Sequence, residues 1–231
     1  MLRFLGVVIY LVVLISIGCA PSQPVKKVEK SGFLGDYSML REGGKGDPAL
    51  IYMNPDISLG SYNKALIDPV TVWYKGDSHL QEIPPRELEH MRLLLHVKII
   101  EALRSESYDI VKEPGPGVMR IQAALTEAEA SNVYMDVAST VLPVSRLFSG
   151  AKKVSTGTHS WVGKAGIEGK IVDSLSGELL AAVVDRRAGG KTLQGSTNSW
   201  DDVEQAFQFW SDRFSYRLCN ARGRGYCVPP E

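Results

Sequence analysis

The stretch "GKAGIEGKIVDSLSGELLAAVVDRRAGG", residues 163–190, decides the fold of this chain. In its first half, apolar or small residues stand at every second position, namely Ala165, Ile167, Gly169 and Ile171. This alternation is typical of a strand with one buried face. The polar "DSLSGE" then predicts a turn, where Gly177 suits a backbone of positive φ. A second alternating run returns through Leu180, Ala182 and Val184. Together these features predict a β-hairpin.

Two helices are predicted, one on each side of the hairpin in the sequence. The first begins at Pro84-Pro85, because proline suits the first helical turn. Its buried stripe alternates spacings of three and four: Leu88, Met91, Leu95, Ile99 and Ala102. The second follows Ser199, the expected N-cap, with Asp202 as an imperfect capping-box partner. One broad apolar face should pack on the sheet: Val203, Phe207, Trp210, Phe214 and Leu218.

Further strands are predicted before the hairpin. "KALIDPVTVW", residues 64–73, is rich in β-forming residues, and Pro69 places part of it at a sheet edge or bulge. Short strands are expected at residues 108–112 and from residue 118 onward, while residues 131–160 fit either a short helix or a loop. The predicted fold class is α+β, a small mixed or antiparallel sheet with two main helices packed on it.

The N-terminus predicts export and a lipid anchor. A run of about 15 residues follows Arg3 and is apolar or small apart from Tyr10 and Ser16, which is typical of a secretory signal and shorter than the roughly 20 residues of a membrane-spanning helix. Ile17-Gly18-Cys19 resembles the bacterial lipobox, although Ser16 stands where leucine is usual. The resemblance implies a signal peptide at residues 1–18 and acylation (palmitate) of Cys19. The alternatives are a plain cleaved signal and, less favoured, a membrane span.

The residues after Cys19 suggest where the protein resides. By resemblance to Gram-negative sorting rules, Ala20 implies a lipid-anchored protein of the outer membrane that faces the periplasm. Residues 19–45 are rich in proline, lysine and glycine and predict a flexible tether. Residues 46–231 then form one periplasmic domain, long enough to bury a core without metal.

Composition narrows the partners and the cysteine chemistry. The 26 basic and 26 acidic residues balance and form no long block of one sign, which disfavours nucleic acid. If Cys19 is acylated, Cys219 and Cys227 remain as an even pair in an oxidising compartment, which favours a disulfide. Two free thiols are the alternative, and a metal site lacks the expected CxxC and histidine spacing.

No catalytic motif, cofactor site or metal site is predicted. "AGGKT" lacks the first glycine of a phosphate-binding loop, and the chain has no GxSxG, SxxK or HExxH pattern. The candidate partner-binding element is a basic loop after the second hairpin strand, with Arg186, Arg187 and Lys191. The competing hypothesis is a periplasmic hydrolase of cell-envelope material, which needs carboxylates to converge among Asp68, Asp173, Glu178 and Asp185.

Four segments give the chain a family resemblance: "YMNPD", "KALIDPVTVW", "IEGKIVDSLSGELLAAVVDRRAG" and "SWDDVEQAFQFWSDRF". They resemble a family of uncharacterised Gram-negative lipoproteins known only as a domain of unknown function. The resemblance implies a lipid-anchored, periplasm-facing α+β domain with no assigned activity. We therefore expect a non-enzymatic outer-membrane lipoprotein whose domain binds an envelope protein or glycan. A self-associating structural protein, paired through the sheet edge near Pro69, is a third hypothesis.

Overall fold

The computed structural model describes residues 22–25, 28–74, 79–131, 163–189 and 199–230. Within these ranges the chain forms nine strands: β1 (Gln23–Pro24), β2 (Arg41–Glu42), β3 (Leu50–Met53), β4 (Lys64–Ile67), β5 (Thr71–Val72), β6 (Asp109–Val111), β7 (Val118–Glu129), β8 (Lys164–Asp173) and β9 (Leu179–Ala188). Two long helices, α1 (Pro85–Ser105) and α2 (Asp201–Ala221), accompany them. Short 3₁₀ helices cover Leu59–Ser61 and His79–Glu82.

The predicted hairpin forms the centre of the sheet. Strands β8 and β9 pair antiparallel, and Gly177 in their turn has a φ of +75°, as its position in the sequence indicates. Asp173 fixes the turn because its carboxylate accepts the backbone N–H groups of Leu175 and Ser176 at 2.9 and 2.8 Å. The hairpin prediction is confirmed.

The strands form one mixed sheet in the order β2-β3-β9-β8-β7-β4-β6. Strands β7, β8, β9 and β3 are antiparallel neighbours, whereas β4 runs parallel to both β7 and β6. Strand β1 adds to β9 and β5 adds to β7. With both helices packed on this sheet, the predicted α+β class is confirmed.

Pro69 interrupts the strand predicted at residues 64–73. Ile67 pairs with Ile121 and Thr71 pairs with Ala124, so three residues of the first strand face two of β7. The extra residue makes this a bulge, which accommodates a proline that has no N–H to donate.

The second helix begins one residue later than a Ser199 cap would place it. Trp200 occupies the N-cap position and provides no side-chain cap. Asp202 instead turns toward the sheet, where its Oδ2 accepts the backbone N–H of Gly163 at 2.7 Å. The predicted capping box is therefore wrong, because a contact distant in sequence takes its acidic residue.

Two apolar clusters fill the space between the sheet and the helices. The first joins Met91 and Leu95 of α1 and Phe207 of α2 to Leu125 and Ile167 of the sheet. The second lies nearer the hairpin turn and contains Leu103, Met119, Ile121, Ile171, Leu180 and Leu218. Each cluster takes residues from both helices and from the central strands, so the helices pack on one face of the sheet.

The described residues of the predicted tether pack on the domain. Glu168 of β8 is fully buried and accepts hydrogen bonds from the Ser31 backbone N–H (2.6 Å) and the Tyr37 hydroxyl (2.5 Å). The Trp73 indole N–H donates to the Ser31 carbonyl oxygen at 3.3 Å. Residues 28–45 thus differ from the prediction of a free tether, because a buried carboxylate distant in sequence fixes a segment that has little apolar surface of its own.

Candidate functional site

A cavity of about 140 Å³ lies between the sheet and the two helices. Its walls come from both apolar clusters, with Leu95 and Phe207 on the helix side and Ile121, Ile167 and Ile171 on the sheet side. Nearly all of the lining is apolar. An enclosed apolar cavity of about this volume accepts a molecule such as benzene or xenon.

Small residues in one row of the sheet create this cavity. Ala123, Gly169 and Val183 lie side by side across strands β7, β8 and β9 and form one row of the sheet. The side chains of the first two residues in this row have one carbon atom and none. A Cβ built on Gly169 would meet only the Val183 Cγ2 at 3.5 Å and the Gln122 carbonyl oxygen at 3.6 Å. The two helices cross over this row of small side chains and leave the space between helices and sheet unfilled.

Cationic side chains line one side of the cavity. Lys98 of α1 pairs with Glu101 at 2.9 Å, and Arg217 of α2 pairs with Asp47 at 2.6 Å. Their side chains are 23% and 26% exposed, so both reach solvent on this side of the cavity. The same side includes Arg213, one turn before Arg217.

Arg213 has unused hydrogen-bonding capacity beside the cavity. Its Nε is buried and has no hydrogen-bond partner among the described residues. Its guanidinium lies 5.3 Å from the centre of the Phe209 ring, and Gly46 approaches it so closely that a Cβ there would lie 3.0 Å from a guanidinium nitrogen. A buried donor without an acceptor costs free energy, which an anionic acceptor would recover.

Asp185 stands at the same end of the cavity, almost fully buried. Its two carboxylate oxygens accept the Ala49 backbone N–H (3.0 Å) and the Trp210 indole N–H (2.7 Å). Burial raises the pKa of Asp185, while these hydrogen bonds and the nearby Arg187 oppose the rise. The carboxylate therefore holds β9, the segment before β3, and α2 together.

Arg187 closes the adjacent end of the helix–sheet layer. Its guanidinium lies 3.4 Å from the centre of the Phe209 ring, a cation–π contact, and its Nε donates to the Ser22 hydroxyl at 2.8 Å. Burial lowers the pKa of Arg187 to about 10, with Asp185 opposing and Arg213 adding to the shift. The group remains charged at neutral pH.

The predicted basic loop is wrong for two of its three residues. Arg186 and Arg187 belong to β9, which continues to Ala188. The strand continues beyond its apolar residues because both arginines have partners within the fold. Arg186 forms an ion pair with Glu127 of β7, and Arg187 donates to Ser22. Lys191 lies outside the described residues.

The four carboxylates of the hydrolase hypothesis do not meet at one site, although Asp173 and Glu178 stand at the two ends of the β8–β9 turn, where the Asp173 backbone N–H donates to the Glu178 carbonyl oxygen at 2.9 Å. Asp68 pairs with Arg120 at 2.8 Å, and Asp173 accepts a hydrogen bond from the Tyr62 hydroxyl at 3.0 Å. Burial and this bond raise the pKa of Tyr62 to about 12. Glu178 lies 3.4 Å from the Asn54 amide, so only Asp185 borders the cavity. The structure therefore gives no converging acid pair at these positions.

Cys219 and Cys227 form the expected disulfide, with Cα atoms 5.8 Å apart. Cys19 lies outside the described residues. Among the residues that the structure describes, no cluster of three or more histidine, cysteine, aspartate or glutamate side chains could hold a metal ion. In the same residues, no helix has the length and hydropathy to cross a membrane.

Local sequence patterns do not predict the cavity or the residues that shape it. Gly169 was visible only as a small residue on the buried face of a strand, and nothing near it in sequence shows that it lies beside Ala123. Arg213 lies on α2 outside its apolar stripe and belongs to no motif, so nothing in the sequence distinguishes it from a solvated arginine. The row of small residues opposite a helix crossing is a tertiary feature, so periodicity alone could not identify it.

The fold was compared with known proteins. Solved structures that are similar include the PelC L103M dodecamer from Paraburkholderia phytofirmans (10% identity, TM-score 0.39, covering 71% of this chain and 93% of that one). A DUF4136 family protein from Bacteroides thetaiotaomicron VPI-5482 is 10% identical, with a TM-score of 0.34 and coverage of 74% and 99%. At such scores the likeness indicates no function. No match was found among curated proteins.

A family model gives the clearest relationship. The model described as "Protein of unknown function (DUF3313)" matches residues 29–214. The match takes in all of α1, residues 201–214 of α2, the hairpin and the segment fixed by Glu168, and it spans well over half of the sequence. The chain therefore belongs to the DUF3313 family.

Proposed function

We propose that this protein is a lipid-anchored outer-membrane protein whose periplasmic domain binds a small acidic amphiphile without catalysing a reaction. The apolar end of the ligand occupies the cavity between the sheet and the helices, and its acidic group meets Arg213. One observation carries the proposal: an apolar cavity and, beside it, a buried guanidinium nitrogen that has no hydrogen-bond partner in the part of the chain that the structure describes.

The size of the cavity sets the size of the apolar group. Because cavities of about this volume accept benzene, a chain of about six carbons fits. Burying about five methylene or methyl groups at roughly 0.8 kcal/mol each contributes about 4 kcal/mol, which corresponds to a Kd on the order of 1 mM. A longer natural chain would gain affinity by covering the opening near Lys98 and Arg217.

The charges beside the cavity favour an acidic group over a basic or neutral one. Lys98 and Arg217 already have acidic partners, and the buried Asp185 has two N–H donors. The Arg213 Nε donor, by contrast, meets no acceptor within the described ranges. Because hydrogen bonds to ionised groups are stronger than neutral ones, a carboxylate should bind roughly five- to tenfold more tightly than an alcohol with the same chain.

Calorimetric titration with hexanoate and hexanol tests the ligand. We expect hexanoate to bind more tightly than hexanol, and Arg213→Gln to remove the difference while hexanol binding persists. Arg120→Gln makes the same change of charge at a surface ion pair with Asp68, away from the cavity, and should leave both affinities unchanged. Gly169→Val should abolish both. Equal binding of both ligands to wild-type protein would refute the acidic group, and binding to Gly169→Val would refute the cavity.

The anchor rests on the sequence and has its own test. Ile17-Gly18-Cys19 and the apolar run before it support acylation of Cys19. Metabolic labelling with a clickable fatty acid should mark the wild-type protein and leave the Cys19→Ser variant unmarked. Equal labelling of both would overturn the anchor while leaving the ligand proposal standing. Fractionation of the labelled protein should place it with the outer membrane, and recovery with the inner membrane would contradict the proposed location.

A further inference from the structure

We propose that the domain stands on the bilayer with one particular end of its sheet against the lipid, and with the β8–β9 turn pointing away. This inference rests on the acylation of Cys19 in the proposed function and is independent of the ligand. Its basis is the very short distance, in sequence, between Cys19 and the first residues that the fold holds in place.

Residues 22–25 are fixed to the end of β9 at several points. The Arg187 guanidinium donates to both the hydroxyl and the carbonyl oxygen of Ser22. The Val25 backbone N–H donates to the Arg186 carbonyl oxygen at 3.0 Å, and Gln23 pairs with Ala188. Ser22 and Val25 are 5% and 2% exposed. This short segment is therefore part of the sheet rather than a free tether.

The acylated residue cannot lie far from this end of the sheet. Cys19 precedes Ser22 by three residues, and an extended chain spans at most about 3.6 Å per residue. The Cα atom that carries the lipid is thus within about 11 Å of Ser22. A domain held so closely has one end at the membrane surface, unlike a domain on a tether of more than twenty residues.

Several chain segments meet at this same end. The Gly189 backbone N–H donates to the Gly163 carbonyl oxygen at 2.9 Å, and the Ser131 N–H donates to the Ser199 carbonyl oxygen at 2.7 Å. Asp202 joins them by accepting the Gly163 N–H. Among the described residues, the ends of β7 and β9, the start of β8 and the start of α2 therefore lie at the end that we place toward the bilayer.

The β8–β9 turn occupies the opposite end. Strand β8 has 10 residues, and a rise of about 3.4 Å per residue separates its ends by roughly 30 Å. Leu175 in this turn is 63% exposed. A probe at Leu175 should therefore lie about 30 Å farther from the membrane than a probe at Ser199.

Energy transfer to labelled lipid measures this difference. Full-length acylated protein carrying Ser199→Cys or Leu175→Cys is labelled with a fluorophore and reconstituted in phosphatidylethanolamine vesicles that contain a headgroup-labelled acceptor. With the native pair in its disulfide and Cys19 acylated, the new thiol is the one available to the dye. We expect strong transfer from position 199 and weak transfer from position 175. Equal transfer, or stronger transfer from position 175, would overturn the orientation.

A linker variant supplies the matched control. Inserting ten glycine and serine residues between Pro21 and Ser22 adds a flexible segment with a root-mean-square span of roughly 17 Å. Transfer from position 199 should fall toward that from position 175, and no change on insertion would contradict the role of the short connection. If the full-length protein without the inserted linker did not bind vesicles, the anchor itself would be rejected. The outcome for the anchor is thereby separate from the outcome for the orientation.

Discussion

Replacing Gly169 with alanine should stabilise the domain, which is unusual for a substitution at a buried position. The new Cβ points into the cavity, and its nearest neighbours, Val183 Cγ2 and the Gln122 carbonyl oxygen, are at 3.5 and 3.6 Å, ordinary contact distances. A buried methyl group contributes about 0.8 kcal/mol. The lower entropy of the unfolded chain adds about 0.5 kcal/mol. The free energy of unfolding should therefore rise by about 1.3 kcal/mol.

Urea and thermal unfolding of the domain measure this change. For a domain of this size, the expected gain corresponds to a rise in Tm of roughly 3–5 °C. Gly166→Ala, in the same strand, is the matched control: its Cβ would lie 2.9 Å from the Thr126 hydroxyl oxygen and 3.0 Å from the Glu127 Cβ. Overpacking there should cost about 1 kcal/mol or more.

The two variants together decide whether the cavity exists. If Gly169→Ala lowered the free energy of unfolding as much as Gly166→Ala does, the space above Gly169 would have to be already filled. The apolar pocket, and the function proposed from it, would then be wrong. A stable Gly169→Ala variant that also bound hexanoate less tightly would link the measured space to the ligand.

Three further outcomes follow from single contacts. Glu168→Ala leaves the Tyr37 hydroxyl without its acceptor and should cost about 2 kcal/mol, with faster amide hydrogen exchange over residues 28–40, whereas unchanged exchange would contradict a segment fixed by this carboxylate. Cys227→Ser opens the disulfide loop and should lower the free energy of unfolding by about 2.5 kcal/mol in urea titrations, and a change near zero would show that the loop is already held by other contacts. Burial raises the pKa of Asp185 in the folded protein above its unfolded value of 3.8. The stabilisation that comes from its protonation is therefore complete below pH 3.8 and is lost as the pH rises through the folded-state pKa. The free energy of unfolding of wild-type protein should therefore fall relative to Asp185→Asn from acidic to neutral pH, and parallel curves would refute it.

Local patterns in the sequence predict much of the fold. The β8–β9 hairpin, its positive-φ glycine and both helices follow from alternation, turn residues and apolar stripes, because each depends on residues near one another in the chain. The Pro69 interruption follows in the same way, because a proline within a strand predicts an edge or a bulge. Local patterns do not predict the order of strands in the sheet, because β3 pairs with β9 and β4 with β7 across long stretches of sequence.

The errors share one cause. Asp202 accepts the Gly163 N–H and does not cap its helix, and Arg187 lies in a strand where it binds Ser22. The segment after residue 27 packs on the domain because Glu168 accepts hydrogen bonds from it. In each case a polar residue that looks solvated in the sequence has a buried partner far along the chain. The cavity belongs to the same class, because it depends on Ala123 and Gly169 being neighbours across two strands.

The central claim is that the cavity above Gly169 holds the apolar end of a small acidic ligand, and contacts between ligand and protein protons test it most directly. Isotope-filtered nuclear Overhauser spectra of the protein with hexanoate should show the terminal methyl group close to the Gly169 Hα protons and to the Phe207 ring. Saturable binding with methyl contacts only to surface residues, such as the exposed Tyr226, would contradict the claim.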